Sequence, residues 1–323
     1  MQNTMMSGKP FLTYDQQIDK LEKEKGLIII DKDSALKLLK EHSYFALISG
    51  YKQPFKDGDG TYKKNTKIED ILILYNFDDQ LRSIILRYIL MVEKHIKSLI
   101  AYSFCEVYGE KQNCYLDTTN YNYIPLNQLG INELVNKLSS IVNDPGDCKY
   151  IYYQKRKYGN IPLWVMMKAL TLGAVSKMYS YLPQTIQCKV SKEFDFVNES
   201  ELLRMLDLLS RIRNVCAHNE RLYDYKYNKG AINDTYTHDY LNIRKKGGQY
   251  VYGKSDLFAV LITLKHLLTE LRFQKMIDDV NECLNSLFRD TRQVQRFQIY
   301  KYMGFPENWY DLKTSQLAEI KDV

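Results

Sequence analysis

The sequence predicts an all-α protein: a helical bundle with a small N-terminal helical appendage and one short β-hairpin. Three observations carry that expectation. Apolar residues recur at helical spacing over long stretches, above all between Leu81 and Ile100. Glycine and proline number only 15 and 7 in 323 residues, too few for the many tight turns of an all-β fold. The chain is 45% hydrophobic and 26% charged, which excludes disordered, collagen-like and coiled-coil classes and suits a substantial core.

Thr13 and Gln16 form a capping-box pattern that starts a short helix through Lys25, and Gly26 stops it. Leu27 to Ile30 is a short β-branched run, after which Asp31 or Asp33 caps a second helix to Lys40. The pair could be a helix-turn-helix, but neither helix shows a basic recognition face, so DNA is not the expected partner. Gln53 to Asn65, with Pro54 and Asp57-Gly58-Asp59-Gly60, reads as a loop. The longest periodic helix then carries Leu81, Ile84, Ile85, Tyr88, Ile89, Val92, Ile96, Leu99 and Ile100, with Asp78 and Asp79 placed as its acidic start. Glu93 and Lys97 form an i,i+4 pair on it, and His95 sits at the edge of the apolar stripe, where burial would hold it neutral.

Further helices are expected over Asn127–Val142, Leu163 to about Leu182 behind Pro162, and Leu202–Cys216. Two more follow, from Ser255-Asp256 to about Leu271 and over Phe273–Phe288. Gly247-Gly248, between Leu241–Arg244 and Gln249–Tyr252, suits a hairpin turn. The expected organisation is an N-terminal appendage over residues 1–65, a helical core over 66–290, and a C-terminal extension over 291–323 that packs on the core.

The 45 Lys and Arg against 39 Asp and Glu leave a net charge of +6, which permits a polyanionic partner without demanding one. Twenty-seven tyrosines suit a surface that binds single-stranded nucleic acid, yet abundant Tyr, Lys, Asn and Ile together are also what AT-rich coding sequence produces. The six cysteines follow no CxxC or zinc-finger spacing. No apolar leader opens the chain, and charges interrupt its most apolar stretch, Ser83–Tyr102. The expectation is a soluble protein of the reducing cytoplasm, with no membrane partner.

Common catalytic signatures are missing: no GxxxxGK[ST], no HExxH, no GxSxG, and no carboxylate cluster for a metal. His42, His95, His238 and His266 stand alone in the sequence. His218 differs, because it closes the run Arg213-Asn214-Val215-Cys216-Ala217-His218 at the end of an amphipathic helix, with Arg221 soon after. On an ideal helix Asp207, Arg211, Asn214 and His218 share one polar line, while Arg213 lies about 140° round from His218. Three arrangements would still bring Arg213 and His218 together. The helix loosens after Cys216, or Arg213 reaches along the groove on its long stem, or a second copy completes the site.

Such a trio suits RNA cleavage. An imidazole takes the proton of a ribose 2′-OH, and a guanidinium stabilises the phosphorane formed when that oxygen attacks its own phosphate. Nearby arginines would keep the imidazole in its base form. By spacing alone, a solvated helix face explains the same residues. Cys216 reads as core packing. Substrate grip would come from Tyr152-Tyr153-Gln154-Lys155-Arg156-Lys157-Tyr158 and from Arg244-Lys245-Lys246 with Tyr250 and Tyr252, because lysines pair phosphates and tyrosines stack on bases. Solvated loops are the plain alternative for both.

Arg213-Asn214-x-x-x-His218 resembles the Rx4–6H signature of HEPN ribonucleases. The longer run Arg213-Asn214-Val215-Cys216-Ala217-His218-Asn219-Glu220-Arg221-Leu222 resembles the Abi-like (abortive infection) family of bacterial phage-defence proteins. So do Lys9-Pro10-Phe11-Leu12-Thr13, Ser43-Tyr44-Phe45, Tyr75-Asn76-Phe77-Asp78-Asp79-Gln80-Leu81-Arg82 with Glu93, Ile161-Pro162-Leu163-Trp164-Val165, and Gly304-Phe305-Pro306-Glu307-Asn308-Trp309.

The resemblance implies a HEPN-like bundle and a metal-independent endoribonuclease without cofactor. Its catalytic residues would be Arg213, Asn214 and His218, and its products a 2′,3′-cyclic phosphate and a 5′-OH. Arg211, Arg221, Lys155, Arg156, Lys157, Lys245 and Lys246 would hold RNA. Arg82 and Glu93, on one face of the long helix, read first as a structural ion-pair network. A homodimer with two motifs across one cleft is the expected assembly. An inhibitor, whether a structured RNA, a protein or the chain itself, would restrain the toxin until infection. A non-catalytic RNA-binding module is the competing class, and a structural or DNA-binding regulator a third.

Overall fold

A computed structural model describes residues 10–227 and 230–317. The family-like start at Lys9, the Met1–Lys9 stretch in which no apolar leader is read, and the end of the C-terminal extension, 318–323, lie outside the described residues. The fold is mainly α, as expected. α1 (Tyr14–Asp19) carries the full capping box between Thr13 and Gln16, runs on as a wider π turn, and stops before Gly26, whose φ of +68° favours glycine. Asp31, not Asp33, caps α2 (Lys32–His42) by accepting from Asp33 N and Ser34 N. The β-branched run between them makes one parallel bridge, Ile28 to Lys67.

α3 is a single helix over Ile68–Tyr108. It begins well before the expected Asp78-Asp79 start, because Glu69 and Asp70 supply the first-turn acids. Asp78 instead lies fully buried in the helix interior, where it accepts from the Tyr51 hydroxyl at 2.7 Å. Most of the stripe is buried, namely Leu81, Ile85, Tyr88, Ile89, Val92, Ile96 and Ile100, while Ile84 and Leu99 are half-buried at its edges. His95 is exposed rather than buried, an edge position turned to solvent, with its ring edge-on to Phe194.

α4 (Gln112–Leu116), α5 (Gln128–Asn143) and α6 (Lys149–Tyr158) follow. α6 is the basic, tyrosine-rich segment whose plain alternative was a loop. Its one buried residue, Ile151, leaves no stripe to read. The helix expected over Leu163–Leu182 is two, α7 (Leu163–Met166, prolonged by a 3₁₀ turn) and α8 (Leu172–Tyr181). Leu170 is extended between them, and the Thr171 side chain caps α8 on Ala174 N. α9 (Gln184–Ser191) leads to α10 (Glu199–Ala217), which packs on α8 and α9.

α11 (Tyr236–Tyr240) precedes a hairpin of β1 (Lys245–Lys246) and β2 (Gln249–Tyr250) around Gly247-Gly248, both glycines at positive φ. α12 (Leu257–Leu267) is capped by Asp256 and buried along its whole length, and it also packs on α10. α13 (Glu270–Asp290) and α14 (Arg296–Met303) close the chain, with Trp309 buried just beyond.

The chain divides into two compact units. One holds the described residues up to Gln80 with Glu282–Ile299, and the other holds Leu81–Asn281 and the chain from Tyr300 on. The first buries Leu21, Leu39, Phe55, Ile71 and Leu74. The second contains the helices around α10 and the candidate site residues. No helix among the described residues is long and apolar enough to cross a membrane.

Candidate active site at the end of α10

α10 starts on a reciprocal capping box, with Asn198 Oδ1 accepting from Glu201 N (3.0 Å) and Glu201 Oε2 accepting from Asn198 N (2.8 Å). Its apolar stripe, Leu202, Met205, Leu206, Leu209, Ile212 and Cys216, is buried throughout, so Cys216 is a core residue. That burial fixes which face of the helix meets water and where its last turn emerges.

The helix ends at Ala217, and His218 is its C-cap, with φ −99° and ψ 11°. Asn219 follows in the left-handed region at φ +54°, a conformation asparagine tolerates better than most residues. Asn219 N donates to Cys216 O (3.4 Å) and Glu220 N to Val215 O (3.0 Å), the double closure of a Schellman motif. From α3, buried Arg82 donates through Nη1 to Glu220 O at 3.4 Å. The helix thus ends one residue after Cys216, while His218 N still donates to Asn214 O at 2.9 Å, so the helical hydrogen bond persists up to the cap. Both His218 and Asn214 are exposed.

Arg213 faces α3. Its Nε lies 4.0 Å from Glu93 Oε2, and neither of these buried atoms has a hydrogen-bond partner. The Arg213 side chain keeps 30% of its surface exposed, against 10% for Glu93. The other Glu93 oxygen accepts from Lys97 Nζ at 2.6 Å, and Lys97 also donates to the Leu170 carbonyl left open at the α7–α8 break. Glu93 thus sits between two cations. Arg82 and Glu93, on one face of α3, thus meet the end of α10 at two points: a hydrogen bond to the backbone after the helix and a long ion pair to Arg213. The sequence showed the shared face and the Glu93–Lys97 pair, but no local signal tied Glu93 to Arg213.

The remaining expected residues lie in several settings. Arg211 pairs with Asp207 (3.2 Å), as the i,i+4 spacing requires, and its guanidinium lies 4.8 Å over the Tyr227 ring. The Tyr227 hydroxyl donates to the same Asp207, and burial together with that carboxylate raises the phenol above its ordinary range. Arg221 is exposed and pairs with Asp224 at 2.6 Å. Lys155 donates to Val142 O (2.7 Å) and Asn143 O (3.3 Å), closing the C-terminus of α5. Arg156 and Lys157 are exposed on α6, Lys157 bonded to the Tyr153 hydroxyl. Lys245 and Lys246 form the exposed β1, with Lys245 lying 4.3 Å from the Tyr250 ring centroid. Among the described residues, no group of three or more His, Cys, Asp or Glu side chains is placed to share a metal ion.

A mainly α-helical protein with a tethered arginine and an exposed histidine at one helix end is the class that fold and site define. The model of the family described as Abi-like protein matches residues 37–224, more than half the chain, a span that includes Arg82, Glu93, Arg213, His218 and Asp224. The chain belongs to the Abi-like family, whose abortive-infection character assigns it a role in phage defence. Neither a curated protein nor a solved structure matches it.

Proposed function

We propose that this chain is a metal-independent endoribonuclease of phage defence, with Arg213, Asn214 and His218 as its catalytic residues. The observation that carries this reading is the end of α10: His218 is set out in solvent at the cap, with exposed Asn214 one turn before it, and Arg213 on the same last turns lies 4.0 Å from Glu93 of α3. An imidazole exchanges protons near neutral pH and suits the base that deprotonates a ribose 2′-OH. The freed oxygen attacks the adjacent phosphorus and the P–O5′ bond breaks. The 5′-oxygen leaves with a proton from water, and a 2′,3′-cyclic phosphate remains. The guanidinium stabilises the charge of the phosphorane. Asn214 offers an amide that orients the phosphate.

RNA is the substrate in this reading, Arg211, Arg221, Arg156, Lys157, Lys245 and Lys246 are its outer contacts, and the site acts in the cytoplasm. Lys155 adds charge nearby while its ammonium group closes α5. A second copy of the chain and an inhibitor, RNA or protein, are the proposed partners. One observation favours the non-catalytic RNA-binding alternative: a guanidinium already paired with Glu93 has less charge to offer a phosphorane. Expression in cells separates the two. Wild type arrests growth and leaves RNA ends bearing 2′,3′-cyclic phosphate, whereas Arg213→Ala and His218→Ala do neither. Equal toxicity of all three chains rules out the assigned site. RNA that co-purifies uncut with wild type and mutants alike supports the binding module.

A further inference from the structure

We infer that a groove beside Glu93 is a subsite for one nucleotide of single-stranded RNA, with its base stacked on Trp164 or Tyr150 and its phosphate held by lysines. This deepens the nuclease reading and rests on it for what the bound RNA is there to undergo. The groove encloses about 540 Å³ between α3, α6 and α7, within the size range of small-ligand sites.

Trp164 is placed there by its neighbours. Leu163, Met166 and Met167 are buried, and their i, i+3, i+4 spacing turns that face of α7 inward. Trp164 is consequently turned out and 51% exposed, whereas the chain's other tryptophan, Trp309, is 1% exposed. Trp164 therefore presents an open aromatic face to the groove. Tyr150 on α6 is 42% exposed on the same groove.

Three lysines line the groove with these rings: Lys94 and Lys97 from α3, and Lys168 after α7, whose Nζ lies 5.9 Å from the Tyr150 ring centroid. Lys94 and Lys168 are exposed, whereas the Lys97 ammonium is engaged by Glu93 and the Leu170 carbonyl, so Lys94 and Lys168 are the phosphate-holding pair. Exposed lysines beside the rings of Trp164 and Tyr150 fit a planar ligand that carries negative charge, as a nucleotide does, with Glu93 the one acid on the lining. The groove shares one residue with the proposed active site. Glu93 lines it, and its Oε2 lies 4.0 Å from Arg213 Nε. Stacking reads π-faces rather than base edges, so the subsite tolerates sequence and favours unpaired RNA.

Trp164 is its own probe, because the buried Trp309 contributes a steady background. A short mixed-sequence 2′-O-methyl oligoribonucleotide, resistant to cleavage, is titrated into the full-length protein. The expected result is quenching of tryptophan fluorescence that is absent in Trp164→Phe. Trp164→Ala should weaken binding about tenfold. Lys94→Glu combined with Lys168→Glu, both at exposed positions, should raise the KM for RNA with little change in kcat and reduce the salt dependence of binding. Fluorescence that no oligonucleotide moves, with binding unchanged in both variants, overturns the subsite and leaves the groove to a protein partner. The two readings fail separately. Quenching without any cleavage by wild type refutes the nuclease and keeps the subsite, while cleavage without quenching refutes the subsite and keeps the nuclease.

Discussion

His218 and His238 lie in the same unit in opposite physical situations. His238 is completely buried, stacked on Tyr250 at 4.6 Å between centroids, with Nδ1 at Thr235 and Nε2 3.0 Å from Gly253 O. Burial lowers its pKa. Its surroundings are equally closed. Asp256 accepts from Gly253 N and Ala259 N, burial pushes its carboxyl up to about 6, and a Cβ on Gly304 would stand 2.2 Å from it. His218 caps a helix in open solvent, and polar groups of α3 hold the backbone and the arginine beside it. The contrast separates two uses of a histidine: one with both nitrogens engaged serves structure, and one with its ring in water can exchange a proton with a ligand.

Three substitutions sharpen that contrast. The largest effect on stability belongs to His238→Ala, which leaves a cavity under Tyr250 and buried polar groups at Thr235 and Gly253 unpaired. Urea unfolding should show a loss of about 2–4 kcal/mol. A loss near zero would mean that the cluster is not closed.

His266 gives the next effect, and it depends on pH. The ring is buried, and burial pushes its pKa down to about 4, against about 6.5 in the unfolded chain. The folded state therefore resists protonation that the unfolded state accepts. The stability tied to this depressed pKa is fully present above pH ~6.5 and is lost as pH falls toward 4. His266→Gln should match wild type in pH sensitivity at and above neutral pH. It should spare the protein up to about 3 kcal/mol of acid destabilisation, read as the difference between the two unfolding curves at low pH. Parallel curves would contradict the buried placement.

The smallest stability effect falls on the open side. His218→Ala should change unfolding free energy by no more than about 0.5 kcal/mol, since the exposed ring supports no packing. A larger loss would make His218 a structural residue.

Periodicity made α3 and α10 legible, because a buried stripe at helical spacing is written into the residues themselves. Their limits were less so. Two acidic pairs, Glu69-Asp70 and Asp78-Asp79, look alike as helix starts, and only the Tyr51 contact shows that the second pair is interior. α6 escaped because a helix with one buried residue has no stripe. The break at Leu170 escaped because its partner, Lys97, comes from another helix. At the site, the Arg213-to-His218 run and its polar line were legible, as was the family. The long ion pair of Glu93 with Arg213, and the groove that joins Glu93 to Trp164, are tertiary facts that no local pattern encodes.

The most direct test of the Arg213–His218 assignment is single-turnover cleavage of RNA by purified protein with EDTA present, comparing wild type with Arg213→Ala and His218→Ala at matched folded concentration. Each substitution should slow cleavage at least a hundredfold, and wild-type products should end in 2′,3′-cyclic phosphate. Wild-type rates in either variant, or cleavage by wild type that yields 3′-OH ends, would contradict it.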